Sequence, residues 1–219
     1  KNDKANIKLA LKDLGYYFPT INTYLEKLDG NKINLTYEID LGDKAKINKI
    51  SFIGDKKFKD KKLKSIIVSE ENKFWKFITN KKFVNESVIS LDKRLLKNFY
   101  LNKGYFNVVI ESSFAKLVDN KDFELIYNIQ ANDKFYFNDL TIDLPTDFEK
   151  DNFQEIYDLF TKLKGKPYSI NQIEDILEEL DKITLFEQYQ SITSSVEENI
   201  FDKKINLNFV IKETEATYV

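Results

Sequence analysis

Apolar residues fall at every second position through Leu35–Ile39, Leu125–Ile129 and Leu207–Ile211, with polar residues in most of the gaps. In each case an apolar residue returns eight positions later, at Ile47, Phe137 and Val219. The three thirteen-residue windows superimpose without a gap, at spacings of 90 and 82 residues. A period of two is that of a half-buried strand, so each window predicts a strand, a turn and the start of another strand. Recurrence at this interval predicts an array of similar modules, each large enough for a modest core.

The middle repeat predicts its elements most fully. Lys46–Gly54 reads as a strand stopped by the Gly54-Asp55 turn signal. Asp60–Val68 has Leu63, Ile66 and Ile67 at helical spacing, with Asp60 as the expected N-cap. An insertion, Glu70–Asn85, carries Phe74, Trp75, Phe77 and Phe83. Glu86–Leu101 predicts the longest helix of this repeat, with Val88, Leu91, Leu95 and Phe99 as its apolar stripe, Leu96 and Tyr100 as candidates to widen it, and Gly104 as its C-terminal stop. Tyr105–Lys116 and Asp122–Ala131 then read as two strands, giving the order β-α-α-β-β.

The third repeat follows the same order. It runs through Phe135–Leu144, Asp151–Leu163, Ser169–Phe186 with Ser169 as N-cap, and strands near Tyr189–Val196 and Lys204–Lys212. Gln188-Tyr189 stands where the other repeats have Gly-Tyr, so the helix end near Leu185–Gln190 lacks its usual cap. The first repeat shows only a helix end at 6–14 and strands Phe18–Glu26 and Lys32–Asp40, so the chain reads as an excerpt of something longer. The expected fold class is α+β, each module a three-stranded mixed sheet packed against two helices. The last strand of each module alternates most strictly and suits the centre of its sheet, which leaves the preceding strand at an edge.

Composition removes several functions. The 34 basic and 36 acidic residues are spread evenly, and only Arg94 is an arginine, so no basic stripe suits nucleic acid. The chain has no Cys and no His, which excludes thiolate chemistry and the commonest general base. No apolar run approaches the ~20 residues of a membrane-spanning helix. Acidic pairs such as Glu178-Glu179 and Glu197-Glu198 read as solvated charge, and there is no phosphate loop, nucleophile elbow or metal-ligand cluster. No enzyme activity, cofactor or metal is expected. Asp43-Lys44 and Asp133-Lys134, repeated between strands, read as turn chemistry.

The candidate binding surface is the edge strand Tyr105–Lys116, which contains no Pro to prevent pairing. An extended peptide adding to it would meet Tyr105, Asn107, Val108, Val109, Ile110 and Ser112. The corresponding strand of the first repeat is blunted by Pro19. A solvated edge with no partner is the other reading. Phe74, Trp75 and Phe77 form either a contact loop or an extra piece of core.

The element order, the helix ending in Tyr100-Leu-Asn-Lys-Gly-Tyr105, and the Ile-x-x-Asp/Gly-Asp-Lys turn into Ile-x-x-Ile-x-Phe-x-Gly resemble POTRA domains, the modules that precede outer-membrane β-barrels. Phe74-Trp75-Lys-Phe77 and the helix after it are similar to the third such domain of outer-membrane β-barrel assembly proteins. The resemblance implies that residues 1–44 end a second-like domain, 45–134 and 135–215 are third- and fourth-like domains, and 216–219 begin another. It also implies a periplasmic location and non-catalytic work. Its partners would be unfolded outer-membrane proteins, accessory assembly lipoproteins (BamB-like) docking near Tyr105–Lys116, and the protein's own C-terminal β-barrel. A related translocation or secretion transporter, and a structural or adhesin-like spacer with no edge ligand, remain as alternatives.

Overall fold

The computed structural model describes residues 2–30, 32–73, 82–116, 123–186 and 192–213. The chain groups into two compact units, Lys1–Leu96 with Ile110–Gln130, and Lys97–Val109 with Ala131–Val219.

In the first unit, helix α1 (Asn2–Asp13) precedes the antiparallel pair β1 (Thr20–Leu28) and β2 (Lys32–Asp40). Strand β1 starts two residues later than expected, just beyond Pro19, whose ring leaves no N–H for the ladder. Strand β3 (Ile47–Asp55) lies parallel to β5 (Phe123–Gln130), and β4 (Val109–Lys116) flanks β5 on its other side. The sheet order β3-β5-β4 thus puts the most strictly alternating strand at the centre. Leu125, Tyr127 and Ile129 of β5 are fully buried, as are Leu63 of α2 (Asp60–Lys64) and Leu96 of α3 (Glu86–Leu101).

A buried carboxylate ties these layers together. Asp92 of α3 is inaccessible to solvent; it accepts the backbone N–H of Val68 at 2.6 Å, that of Ser69 at 3.3 Å, and the Tyr127 hydroxyl at 2.7 Å. Buried charge is tolerated where its acceptor capacity is filled in this way. These bonds explain a correction: α2 ends at Lys64, not Val68, because Val68 and Ser69 turn their N–H groups to Asp92. Asp60 is not the N-cap either. Lys59 occupies that position with extended geometry, and the Asp60 carboxylate is held by Lys56.

The second unit repeats the topology. Strand β6 (Tyr136–Asp143) runs parallel to β8 (Lys204–Glu213), and β7 (Ile192–Phe201) runs antiparallel on the other side. A 3-10 turn (Lys150–Phe153) leads into α4 (Gln154–Leu163), followed by α5 (Ile170–Phe186). Phe153, Ile156, Ile176, Leu180, Leu207 and Phe209 are among the most buried side chains of this core. Strand β7 extends five residues past the predicted Val196. The two-residue turn Asp202-Lys203 allows this, with φ of +44° and +61°, the positive values a tight hairpin needs. No helix among the described residues is long and apolar enough to cross a membrane.

Candidate partner-binding edges

Four outer edges border the two three-stranded sheets, and the chain treats them differently. Along β3, Ile47 donates to the Lys82 carbonyl at 2.8 Å and accepts from the Asn72 N–H at 2.7 Å. The Ile50 N–H goes to the Glu71 carboxylate at 3.0 Å. Burial opposes the charge on Glu71, but Lys64, the Ile50 N–H and Lys73 outweigh it and hold the group below the usual carboxylate range. Along β6, Phe137 donates to the Lys166 carbonyl at 2.9 Å and accepts from the Gly165 N–H at 2.8 Å, while Tyr168 donates to Phe135 at 2.9 Å. Both edges are therefore capped by the chain's own backbone. Among the described residues, no segment lies against the outer sides of β4 and β7. These strands present unpaired backbone donors and acceptors, the condition for adding another strand.

The structure splits the six residues expected at the β4 edge. Val109, Ile110 and Ser112 are in the strand, and Val109 is 46% exposed. Tyr105, Asn107 and Val108 are not, and Tyr105 and Val108 are buried. The cause is the turn after α3, where Tyr105 donates to Tyr100, Phe106 to Gly104 and Val108 to Tyr105, so extended pairing cannot begin until Val109. The Asn107 carbonyl accepts the Asn132 side chain at 2.7 Å. Phe74, Trp75, Phe77 and the Gln188-Tyr189 helix end lie outside the described residues.

That turn is a clasp, which sequence reasoning missed. Gly104 has φ +91°, its carbonyl accepts the Phe135 N–H at 2.8 Å, and a Cβ there would sit 3.2 Å from both the Phe135 carbonyl oxygen and Pro167 Cβ. The Lys134 ammonium lies 5.4 Å from the Tyr105 ring centroid, a cation–π distance. Asn102 accepts the Asn171 N–H at 2.9 Å and the Ser169 hydroxyl at 2.8 Å, so it caps α5 in the role expected of Ser169. The first unit holds the same device. The Gly15 carbonyl accepts the Ala45 N–H at 2.9 Å, and Lys44 lies 5.2 Å from the Tyr16 ring. The signal was present in the near-constant spacing, with Gly15 and Lys44 29 residues apart and Gly104 and Lys134 30 apart. The lysine of each Asp-Lys pair thus packs on a tyrosine as well as sitting in a turn.

Several other titratable groups are shifted by burial or held in ion pairs. Burial foremost, then Asp92, pushes the Tyr127 phenol far above its ordinary value. Burial and Glu86 do the same for Tyr17, and burial and Glu198 for Tyr168. Glu178 and Glu179 pair with Lys182 at 2.9 and 3.5 Å. Among the described residues, no three Asp or Glu side chains gather as metal ligands would.

Comparison with known proteins agrees with this architecture. Residues 45–132 match the family model POTRA, described as a surface antigen variable number repeat. The outer membrane protein assembly factor BamA of Neisseria meningitidis serogroup B is 27% identical over 161 residues, covering 73% of this chain and 20% of that protein. BamA of Buchnera aphidicola is 23% identical over 220 residues, covering 97% of this chain and 34% of that protein. The chain thus spans about a fifth to a third of these relatives. The crystal structure of Haemophilus influenzae BamA POTRA3-5 superimposes with a TM-score of 0.57 at 16% identity, covering 97% of this chain and 79% of that one. At that identity the likeness speaks for the fold alone, and it agrees with the other two comparisons: residues 45–132 match the POTRA model, and the chain as a whole is similar to a stretch of BamA.

Proposed function

We propose that the chain is the periplasmic POTRA array of an outer-membrane protein assembly factor. It receives unfolded outer-membrane proteins and BamB-like accessory lipoproteins by strand addition at exposed sheet edges. The C-terminal β-barrel of the full-length protein then completes insertion. In this reading residues 45–134 and 135–215 act as third- and fourth-like domains, preceded by the end of a second and followed by the start of another. The work is non-catalytic, because backbone pairing supplies affinity without demanding one sequence.

The observation that carries the reading is the contrast within one sheet, where β3 is capped by backbone while β4 is left open. The test is a pair of variants, Val109→Pro and Ile110→Pro. Successive N–H groups of a strand point to opposite sides, so one of the two removes only an outward donor and leaves the β5 ladder intact. The variant that keeps its circular dichroism and melting temperature is expected to bind unfolded outer-membrane protein about tenfold more weakly, the loss of one or two backbone bonds. Unchanged binding by both variants would rule out β4 as the acceptor.

A further inference from the structure

If β4 accepts a strand, as proposed above, its two faces specify what that strand carries. Along β4 the exposed residues are Val109, Glu111 and Ser113, while Ile110, Ser112 and Phe114 are half-buried and form the inward row. Phe114 packs edge-on against Phe123 of the central strand, with centroids 5.8 Å apart, and against Tyr17 at 6.3 Å. Tyr17 also lies 5.3 Å from Phe123, and its hydroxyl donates to Glu86 at the start of α3. Phe18 stacks on Phe123 at 6.0 Å with its ring nearly parallel. Tyr17 and Phe114 each remain only half-buried. Among the described residues the inward row therefore ends in a half-exposed aromatic cluster, half of it supplied from outside the β3-β5-β4 sheet.

We infer that β4 selects amphipathic strands, with an aromatic or branched side chain placed against Phe114 and Tyr17, and that Tyr17 is a specificity-determining residue. An added strand continues the row, since residues opposite each other on neighbouring strands have Cβ atoms about 5 Å apart. Aromatic and β-branched partners are favoured beside an aromatic residue, and a small or hydroxylated one suits Ser112. On the outward row, Glu111 favours a basic neighbour and disfavours an acidic one. The accepted segment alternates between an apolar and a polar face. A uniformly polar extended peptide gains only the backbone bonds.

The experiment uses the full 219-residue chain and two labelled nine-residue peptides of alternating pattern, identical except for Phe or Ser at one inward position. Fluorescence anisotropy is expected to show the Phe peptide binding about fivefold more tightly, the upper range of one cross-strand pair. Tyr17→Ala is expected to bring that ratio close to one while leaving the Ser peptide's affinity in place, and Tyr17→Phe, which keeps the ring, is expected to retain it. Should Tyr17→Ala melt early, Phe114→Thr provides the same readout from the other side of the cluster. A ratio unchanged in Tyr17→Ala and Phe114→Thr, or no discrimination by the parent chain, overturns this inference alone. Failure of both peptides to bind overturns the strand-addition reading as well.

Discussion

Strands β3 and β4 border the same sheet, yet among the described residues one is closed and the other open, and β6 and β7 repeat the contrast. The difference follows from chain order. Strand β3 runs parallel to the central β5, so the chain must leave it through a long connection, and parts of that connection, Glu71–Asn72 and Lys82–Val84, bond back along its outer side. Strand β6 is capped in the same manner by Gly165–Tyr168. The other outer strands come immediately before the central strand in sequence, and among the described residues no comparable connection passes over them. A module with this topology closes one edge by its own connectivity and leaves the opposite one available.

The largest test of this contrast is to loosen the closed edge. Asp92→Ala removes the acceptor for Val68, Ser69 and Tyr127, and is expected to cost about 3 kcal/mol in urea denaturation. Amide exchange at Ile50 and Asn72 should quicken in the same variant, because the Ile50 N–H bonds to Glu71 and the Asn72 N–H to Ile47, and Glu71–Asn72 leads on from Ser69. Unchanged protection there would mean that Glu71–Asn72 caps β3 without help from Asp92.

Gly54→Ala tests how closely β3 meets the central strand. A Cβ at Gly54 would fall 2.4 Å from the Ile129 carbonyl oxygen at φ +83°, so a loss of about 2 kcal/mol is expected. Gly30→Ala is the control, because it has a similar φ of +77° in open space and should cost about 1 kcal/mol. Equal losses in the two would remove the argument from close approach.

The smallest effects are in pH dependence. The folded Tyr127 phenol has its pKa raised above the ordinary 10.0, so its contribution is fully present below pH 10 and is lost as pH rises beyond it. Tyr127→Phe should flatten the alkaline limb of a plot of urea midpoint against pH. Glu71 is shifted the opposite way from 4.5, so its contribution is present above pH 4.5 and fades as pH falls. Glu71→Gln should flatten the acid limb, and an unaltered slope would separate Glu71 from the stability of the β3 edge.

Much of this was legible in the sequence because strand alternation is local. The pattern of Leu125–Ile129 put β5 at the centre and so the strand before it at an edge, and the absence of Pro after Gly104 left that edge able to pair. The start of that strand was misplaced because the turn through Val108 is closed by backbone bonds that no residue type announces. Asn102 capping Asn171, and Asp92 meeting Val68, join residues 69 and 24 apart, beyond any local pattern. The Asp202-Lys203 turn was missed because neither residue is the Gly that usually signals positive φ.

The clasp at Gly104 bears on how such arrays are inherited. Its parts, Asn102, Gly104 and Tyr105 on one side and Lys134, Phe135 and Asn171 on the other, straddle the boundary that the strand repeat suggests. A recombination event cut at residue 134 would bring together halves that had never met, at a place where Gly104 leaves only 3.2 Å between an added Cβ and residues 135 and 167. A crossover inside α3, ahead of Asn102, keeps this set together but parts Asp92 from Tyr127 and β3 from β5. Neither cut spares both sets of contacts, so neighbouring modules are exchanged intact only as an unbroken run.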